Sequence, residues 1–176
     1  MNIFLVFSLY ELKMSFEKTF IASELPWKTK WFRAACRWVV IDENGQIPLI
    51  FDSCRKYYKL PWWWIEWEEN KVEAFKREIM EETWCEIDEI KEIWKVIEKV
   101  LDWEQINYCL IWKIIRKWEP NFTQKEIERW YQLKWVKLED AISLIKNEET
   151  YTDDAKFKRE RELYILEKVY EELSKF

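Results

Sequence analysis

Residues 60–85 decide how this chain is interpreted, and they read LPWWWIEWEENKVEAFKREIMEETWC. With about 100° of rotation per residue, the second half of this stretch forms an amphipathic helix. Its apolar face carries Val72, Phe75 and Ile79. An adjacent face carries Glu78, Glu81 and Glu82, all within about 100° of one another. The spacing therefore brings three carboxylates together beside a buried face.

The three carboxylates indicate a bound cation. Like charges three and four residues apart repel one another and destabilise a helix unless a counter-charge is present. Carboxylate oxygens are hard ligands suited to magnesium, which is commonly shared with substrate phosphates. Arg77 lies on the same helix and is placed to orient a carboxylate through a charge-assisted hydrogen bond. The alternative is a solvated acidic helix face in a chain rich in glutamate.

This stretch resembles the signature of the Nudix hydrolase family, of the MutT-like type. The signature runs glycine, five residues, glutamate, seven residues, Arg-Glu, an apolar residue, any residue, Glu-Glu, any residue, glycine and an apolar residue. Its charged and apolar positions fall here on Glu69, Arg77, Glu78, Ile79, Glu81, Glu82 and Cys85. Its two glycine positions carry Trp63 and Trp84. All spacings match, so the departures are confined to the glycine positions.

The resemblance implies a magnesium-dependent hydrolase that cleaves the diphosphate linkage of a nucleoside diphosphate derivative or a nucleoside triphosphate. It assigns the metal, Mg²⁺ with Mn²⁺ as an alternative, to Glu78, Glu81 and Glu82. Glu69 is expected as a further ligand or as a group that orients one, and the backbone carbonyl of Trp62 is another expected ligand. A small-molecule nucleotide is the implied partner. The signature does not distinguish substrates. An isomerase or another specialised relative on the same scaffold is a further possibility.

The general base is less well defined by the resemblance. Glu78 is one candidate, and a glutamate from a downstream loop is the other. Glu126 and Glu128 precede the strand around Trp135, and we favour Glu128 because of its position relative to that strand. The alternative for both is a solvated loop carboxylate.

Residues just upstream of the signature are candidates for substrate binding. Tyr57, Tyr58 and Lys59 immediately precede the expected phosphate loop, where Tyr58 and Lys59 are placed to line it. The same alternation of residue types fits an ordinary strand end.

Tryptophan is abundant where a folded enzyme needs glycine. The chain has 14 Trp and 1 Gly, whereas average usage gives about 12 glycines in a chain of this length. We interpret most Trp letters as glycine, which results when UGA is translated as Trp although the host reads it as Gly. Pro61 is followed by three tryptophans where a tight turn and close approach to phosphates call for glycine. Trp84 falls where a left-handed helix cap is expected.

The resemblance extends loosely over residues 30–145 and identifies one tryptophan as genuine. Arg37-Trp-Val-Val resembles a family strand that usually reads Arg-Gly-Val-Val, and Lys117-Trp-Glu-Pro resembles a Lys-Gly-Glu-Pro turn. In the segment beginning at Lys134, Trp135 is itself the expected residue. The competing interpretation is a catalytically inactive binding module whose real tryptophans contact nucleotides, RNA or a protein partner.

The remaining pattern predicts a single α/β domain over residues 1–176. Strands are expected at 32–42, 47–52, 93–100, 105–116 and 132–137, and helices at 71–83, 138–146 and 154–174. Asn44-Gly45 predicts a hairpin between the first two strands. Interleaved strands and helices favour a mixed β-sheet between helices, a Nudix-like α/β/α sandwich. The last helix is expected to bury Leu163, Leu166, Val169, Tyr170 and Leu173.

Charge and cysteine usage exclude several functions. The net charge of −5 argues against a nucleic-acid polymer as partner, and the lack of histidine excludes a Cys/His zinc site and a histidine-based triad. Four separated cysteines indicate reduced thiols in a cytoplasmic protein. The apolar run at 3–10 is too short for a membrane span. We expect either that residues 1–13 are a spurious or peripheral extension, with Met14 as the true start, or that residues 3–10 form a buried or edge strand.

Overall fold

The computed structural model describes residues 16–21, 31–53, 56–65, 71–87, 91–100, 103–118 and 131–174. Their elements, in chain order, are β1 (Phe16–Ile21), β2 (Trp31–Ile41), β3 (Gln46–Asp52), β4 (Tyr57–Lys59), β5 (Trp62–Trp64), α1 (Lys71–Thr83), β6 (Cys85–Ile87), β7 (Lys91–Val100), β8 (Trp103–Lys117), β9 (Tyr131–Lys137), α2 (Leu138–Lys146) and α3 (Asp153–Leu173). None of the helices within these ranges is long and apolar enough to cross a bilayer.

Six strands form a mixed sheet. Its order is β1-β7-β8-β2-β5, and β6 pairs with β8 outside that path. The β1–β7 and β2–β8 pairs are parallel, whereas β7–β8, β2–β5 and β6–β8 are antiparallel. The long central strands β2 and β8 pair over eleven residues, from Trp31 opposite Trp103 to Ile41 opposite Lys113. The predicted mixed sheet is therefore confirmed.

The turn at Asn44-Gly45 forms, but the predicted hairpin is wrong. Gly45 has a φ of 72° and donates its backbone N–H to the Asp42 carbonyl at 3.0 Å. Within the described ranges, β2 pairs with β8 and β5, whereas β3 joins a separate three-stranded sheet in the order β4-β3-β9. All six positions of β2 from 35 to 40 are buried. Because successive side chains point to opposite faces, other elements must pack on both faces of this strand, and β2 lies inside the large sheet. The turn carries the chain from one sheet to the other.

Helices cover both faces of the large sheet. On one face, Ile79 of α1 packs with Cys36, Trp38 and Val40 of β2. On the other face, apolar side chains of α2 and α3 pack with Val39 and Ile111. Alternate residues of β2 thus enter different cores, as the two-residue period of a strand requires. The arrangement is the expected α/β/α sandwich.

The three helices match the sequence prediction closely in their bounds. α3 begins at a Thr152 cap, whose side chain accepts a hydrogen bond from the Ala155 N–H at 3.1 Å. Its expected apolar stripe is partly wrong, because Tyr170 is 41% exposed while Arg161 and Glu162 are buried. In the first half of α3, Phe157 packs on Phe20 of β1, whereas Arg161 and Glu162 contact polar side chains of the sheet.

Three short strands were not predicted, namely β1, β5 and β6, whereas β4 agrees with the alternative that residues 57–59 form a strand end. β5 is the most consequential, because residues 62–64 pair with β2 where the sequence suggested only a turn. Cys36, Cys85 and Cys109 are buried thiols, and burial raises the pKa of both Cys85 and Cys109. Several residues of the sequence predictions lie outside the described residues, namely 3–10, Met14, Cys54, Glu69, Glu126 and Glu128.

Candidate active site

Two glutamates of α1, Glu78 and Glu81, share one counter-ion. Arg77 donates hydrogen bonds from one guanidinium nitrogen to Glu78 and, at 3.1 Å, to Glu81. The Glu78 side chain is only 4% exposed, whereas that of Glu81 is 59% exposed. One cation therefore holds together a buried carboxylate and an exposed one. The side chain of Glu82 lies outside the described part of the helix.

Carboxylate oxygens such as those of Glu78 and Glu81 are the kind of ligand that magnesium prefers in proteins. Burying the Glu78 carboxylate is costly unless a cation compensates it. Arg77 supplies that compensation in this structure and leaves Glu81 in solvent, where oxygen donors for a hydrated Mg²⁺ are expected. Among the described residues, no three acidic, Cys or His side chains are grouped closely enough to hold a metal ion. Glu69 and the Glu82 side chain fall outside that set.

The end of α1 adopts the backbone conformation of a glycine cap. Trp84 directly follows the helix and has a φ of 56°. Its N–H donates to the Met80 carbonyl at 2.9 Å, and its own carbonyl accepts from the Trp118 N–H at 2.7 Å. Residues with a Cβ rarely adopt this left-handed region, whereas glycine does so readily. The buried indole N–H of Trp84 has no acceptor among the described residues.

The three tryptophans of β5 each lie against an arginine. The Trp62 ring centroid is 5.3 Å from the Arg37 guanidinium, and the Trp64 centroid is 4.9 Å from that of Arg33. On the other face of the strand, the Trp63 ring lies 5.2 Å from the guanidinium of Arg77. The residue at the first glycine position of the signature thus covers the same arginine that bridges Glu78 and Glu81.

A cluster of buried polar side chains lies between the large sheet and α3, and we call it the α3 polar cluster. Its members are Arg37, Glu98, Gln105, Asn107, Arg161 and Glu162, each at most 6% exposed. Arg37 donates to Asn107 at 3.0 Å and to Glu162 at 2.8 Å. Burial raises the pKa of Glu98, but Arg161, Arg37 and the Asn107 hydrogen bond together hold it below its usual range.

A cavity of about 550 Å³ opens beside β4. Its lining includes Phe51, Lys56, Tyr58, Ser143, Asn147 and Glu148. The Phe51 and Tyr58 rings lie 4.8 Å apart, and the Lys134 ammonium donates to the Tyr58 hydroxyl at 2.9 Å. Burial raises the pKa of Glu148 to about 7, although the hydrogen bond from the Tyr58 N–H opposes that rise.

The structure brings together some of the residues singled out in the sequence. Arg77, Glu78, Glu81 and Trp63 lie within one group of contacts. Tyr58 lines the cavity beside β4, while Lys59 is buried at the end of that strand and pairs with Ile50 across the small sheet. Trp62 lies on the opposite face of β5 from Trp63, beside Arg37. The described residues do not include Glu69 or Glu128.

The α3 polar cluster is the part of this region that the sequence interpretation missed. A signal was available, because Arg37 interrupts an apolar run from Ala34 to Ile41. A charged residue at such a position needs a buried partner. The partner could not be identified, since Glu162 is 125 residues away in the chain.

The fold is similar to that of one solved MutT structure, and a second MutT structure superposes less closely. One comes from a structural and functional study of MutT from the psychrophilic fish pathogen Aliivibrio salmonicida and the mesophile Vibrio cholerae, with a TM-score of 0.53 and 14% identity over 82% of this chain and 99% of that chain. The other is MutT from Bacillus halodurans, with a TM-score of 0.47 and 22% identity over 64% of this chain and 72% of that one.

No protein-family model matches the sequence, and no curated protein matches it. The likeness to the Aliivibrio and Vibrio protein is one of backbone arrangement, because only 14% of residues are identical. The chain therefore has the Nudix-like α/β fold of MutT, a mixed β-sheet covered by helices on both faces.

Proposed function

We propose that this protein is a magnesium-dependent hydrolase that cleaves the diphosphate linkage of a nucleoside diphosphate derivative or a nucleoside triphosphate. The observation that carries the proposal is the Arg77 guanidinium, which bridges the buried Glu78 and the exposed Glu81 on α1. The spacing of these three residues matches the Nudix signature, and the helix occupies a Nudix-like fold. The signature and the fold are both consistent with this activity.

The carboxylates of α1 are assigned to the metal. Glu78, Glu81 and Glu82 would hold Mg²⁺, or Mn²⁺ in its place, with Glu69 and the backbone carbonyl of Trp62 as further ligands. When bound, the ion would neutralise phosphate charge and lower the pKa of a coordinated water. Arg77 positions the carboxylates by hydrogen bonding and keeps the Glu78 charge compensated. Proton removal from water is assigned to Glu128, with Glu78 as the alternative base.

The working form of the protein carries glycine at most positions written as tryptophan. Trp84 supports this, because its φ of 56° suits glycine and strains a residue with a Cβ. The indole N–H groups of Trp63, Trp84 and Trp94 give further support, since all three are buried with no acceptor among the described residues. Buried indole nitrogens normally have a hydrogen-bond partner. Trp135 differs. Its half-buried ring packs on the apolar cluster between α1 and the large sheet, which includes Trp38 and Ile79 and which we call the α1 core. The Lys117 ammonium lies 3.3 Å from the Trp135 ring centroid.

The activity is tested on the glycine form, in which every tryptophan except Trp135 is replaced by glycine. With Mg²⁺ present, we expect it to hydrolyse a member of a panel of nucleoside triphosphates and nucleotide sugars. Glu81→Gln removes a charged metal ligand without changing side-chain size, and we expect kcat to fall at least about 100-fold. Glu86→Gln is the matched control on an exposed glutamate of β6 and should retain activity. The proposal would be contradicted if no substrate of the panel were hydrolysed and if the activity of Glu81→Gln were indistinguishable from that of the parent.

The glycine assignment has its own test. The 13 codons for tryptophans other than Trp135 are expected to include mostly UGA, and the intact protein from its native host should be lighter by the Trp–Gly mass difference at each such position. UGG codons at these positions would contradict the assignment. They would favour the binding module with genuine tryptophans.

The proposal also covers partners and location. A small-molecule nucleotide is the expected partner, because the net charge of −5 disfavours a nucleic-acid polymer. A reducing compartment, the cytoplasm, suits the buried thiols of Cys36, Cys85 and Cys109.

A further inference from the structure

The side chains of β5 divide between its two faces. Trp62 and Trp64 lie on one face, with their ring centroids 4.6 Å apart in an edge-to-face contact. Trp63 lies on the other face, against Arg77. In register, Trp62 is opposite Arg37 and Trp64 is opposite Ala35 of β2. The Trp62 ring therefore fills the space over the Arg37 guanidinium, on the face away from the carboxylates of α1.

The Arg37 guanidinium is held in a fixed orientation. Its Nε donates to Asn107 at 3.0 Å, and its Nη1 donates to Glu162 at 2.8 Å. The side chain is 3% exposed with the indole in place. A guanidinium that is fixed at its edge by hydrogen bonds presents a rigid planar face. In this structure the Trp62 ring lies beside it, with its centroid 5.3 Å from the guanidinium carbon.

The charge of the surroundings determines what this face would bind. Within the α3 polar cluster, the guanidinium groups of Arg37 and Arg161 are balanced by the carboxylates of Glu98 and Glu162. These four charges sum to zero, so the cluster offers little attraction to a phosphate group. Stacking on a guanidinium face needs no net charge, and a planar aromatic ring is the group that it favours.

We propose that, with glycine at positions 62 and 64, the space left by the two indoles binds the base of the nucleotide substrate, stacked on Arg37. This inference rests on the proposed function, since it requires the glycine form. The Trp62 ring marks the place of the base, because it is itself a planar aromatic group held 5.3 Å from the guanidinium.

The position of β5 allows one substrate to reach both faces. β5 is the end strand of the large sheet within the described part of the chain. Glycine at 62, 63 and 64 would leave bare backbone along this edge. A nucleotide whose base stacks on Arg37 could then pass over the edge, with its phosphates directed toward Arg77 and the glutamates of α1 on the other face.

The experiment measures binding of nucleoside monophosphates without metal, so that no hydrolysis is needed. Isothermal titration calorimetry on the glycine form compares AMP, GMP, CMP and UMP with ribose 5-phosphate, which has no base. We expect at least one monophosphate to bind about tenfold more tightly than ribose 5-phosphate. In Arg37→Lys, which keeps a positive charge beside Glu162 but loses the planar face, this ratio should fall to near one. Circular dichroism and a thermal melt verify that the variant is folded.

A second comparison does not depend on altering the α3 polar cluster. A glycine form that retains Trp62 should lose the base preference, because the indole occupies the proposed slot. The matched control retains Trp118 instead, which is also an aromatic ring against an arginine, 5.4 Å from Arg116, and it should keep the preference.

Three results would overturn the inference: equal binding of ribose 5-phosphate and all four monophosphates, no measurable binding of any, or a preference that survives retention of Trp62. Hydrolysis of the substrate panel without a base preference would reject the Arg37 slot and leave the hydrolase intact. A base preference without hydrolysis would support the Arg37 slot and count against the hydrolase activity.

Discussion

Trp84 and Trp135 show how differently one residue type fits its surroundings in this chain. Trp84 is in the left-handed region at the end of α1, and its buried indole N–H has no acceptor among the described residues. Such a backbone conformation costs about 1–2 kcal/mol for a residue with a Cβ, and an unsatisfied buried donor adds a similar cost. Trp135 extends from β9 onto the α1 core and is covered by Lys117. The same residue type is therefore strained at position 84 and well packed at position 135.

The stability of variants at these two positions tests that distinction. We expect the glycine form to have a free energy of unfolding about 1–2 kcal/mol higher than that of the same protein with Trp84 retained. Trp135→Gly should instead lower the free energy of unfolding by about 2–3 kcal/mol, because it removes a half-buried ring from the core. Urea unfolding followed by circular dichroism measures both. A form that is stabilised by Trp84 would count against glycine at that position.

At the scale of elements, α3 is attached to the sheet by ionic groups as well as by apolar ones. Ile165, Leu166 and Val169 pack in the core, while Arg161 and Glu162 join Arg37 and Glu98 one turn earlier. Buried ion pairs contribute little net stability, but removing one partner leaves a charge without compensation. The first half of α3 is therefore more sensitive to loss of a charge than to loss of a methyl group.

Glu162→Ala is expected to destabilise the fold by about 3–5 kcal/mol, because Arg37 and Arg161 both lose their shared carboxylate. Glu167→Ala is the control on the exposed side of the same helix, and its effect should stay within about 0.5 kcal/mol. Thermal unfolding of both variants supplies the comparison. Equal small effects would show that the α3 polar cluster does not hold the helix.

At the scale of the whole molecule, the segment after α2 ties the helical layer to the small sheet. Glu148 accepts a hydrogen bond from the backbone of Tyr58 at 2.5 Å, and Arg159 of α3 donates to the Glu148 carbonyl at 3.0 Å. These contacts lie beside the cavity at β4. Because burial raises the pKa of the Glu148 carboxyl to about 7, the folded chain holds a proton there that the unfolded chain releases near the ordinary carboxyl pKa of 4.5.

This difference predicts a pH-dependent stability. Between about pH 4.5 and pH 7 the folded state holds more protons than the unfolded state, so the free energy of unfolding should fall as pH rises and level off above the folded pKa. The carboxyl is only half-buried, so solvent screening limits the effect to about 1 kcal/mol. Glu148→Gln keeps an acceptor for the Tyr58 N–H and should remove this component. Urea unfolding at pH 5 and pH 8 tests it, and an identical pH difference in parent and variant would contradict it.

Local sequence was sufficient for most elements. The bounds of α1 and α2 follow from helical periodicity, and β2, β3, β7, β8 and β9 follow from apolar runs flanked by turn residues. Three-residue strands such as β5 were beyond this reasoning, because they exist only through pairing with a longer neighbour. The α1 glutamates and Arg77 belong to the same predictable class, since helical spacing alone puts them on adjacent faces.

The sequence by itself determined the three helices, the five longest strands, the sandwich class and the carboxylate-bearing helix, because each depends mainly on residues close to one another in the chain. It also pointed to Trp84 as a misplaced side chain from its position after α1. Only the tertiary structure separated β2 and β3 into two sheets and brought Glu162 to Arg37 across 125 residues. The first outcome depends on which elements pack on the faces of β2 and β3, and the second depends on which buried charge pairs with Arg37. Both are decided when segments distant in the chain pack together.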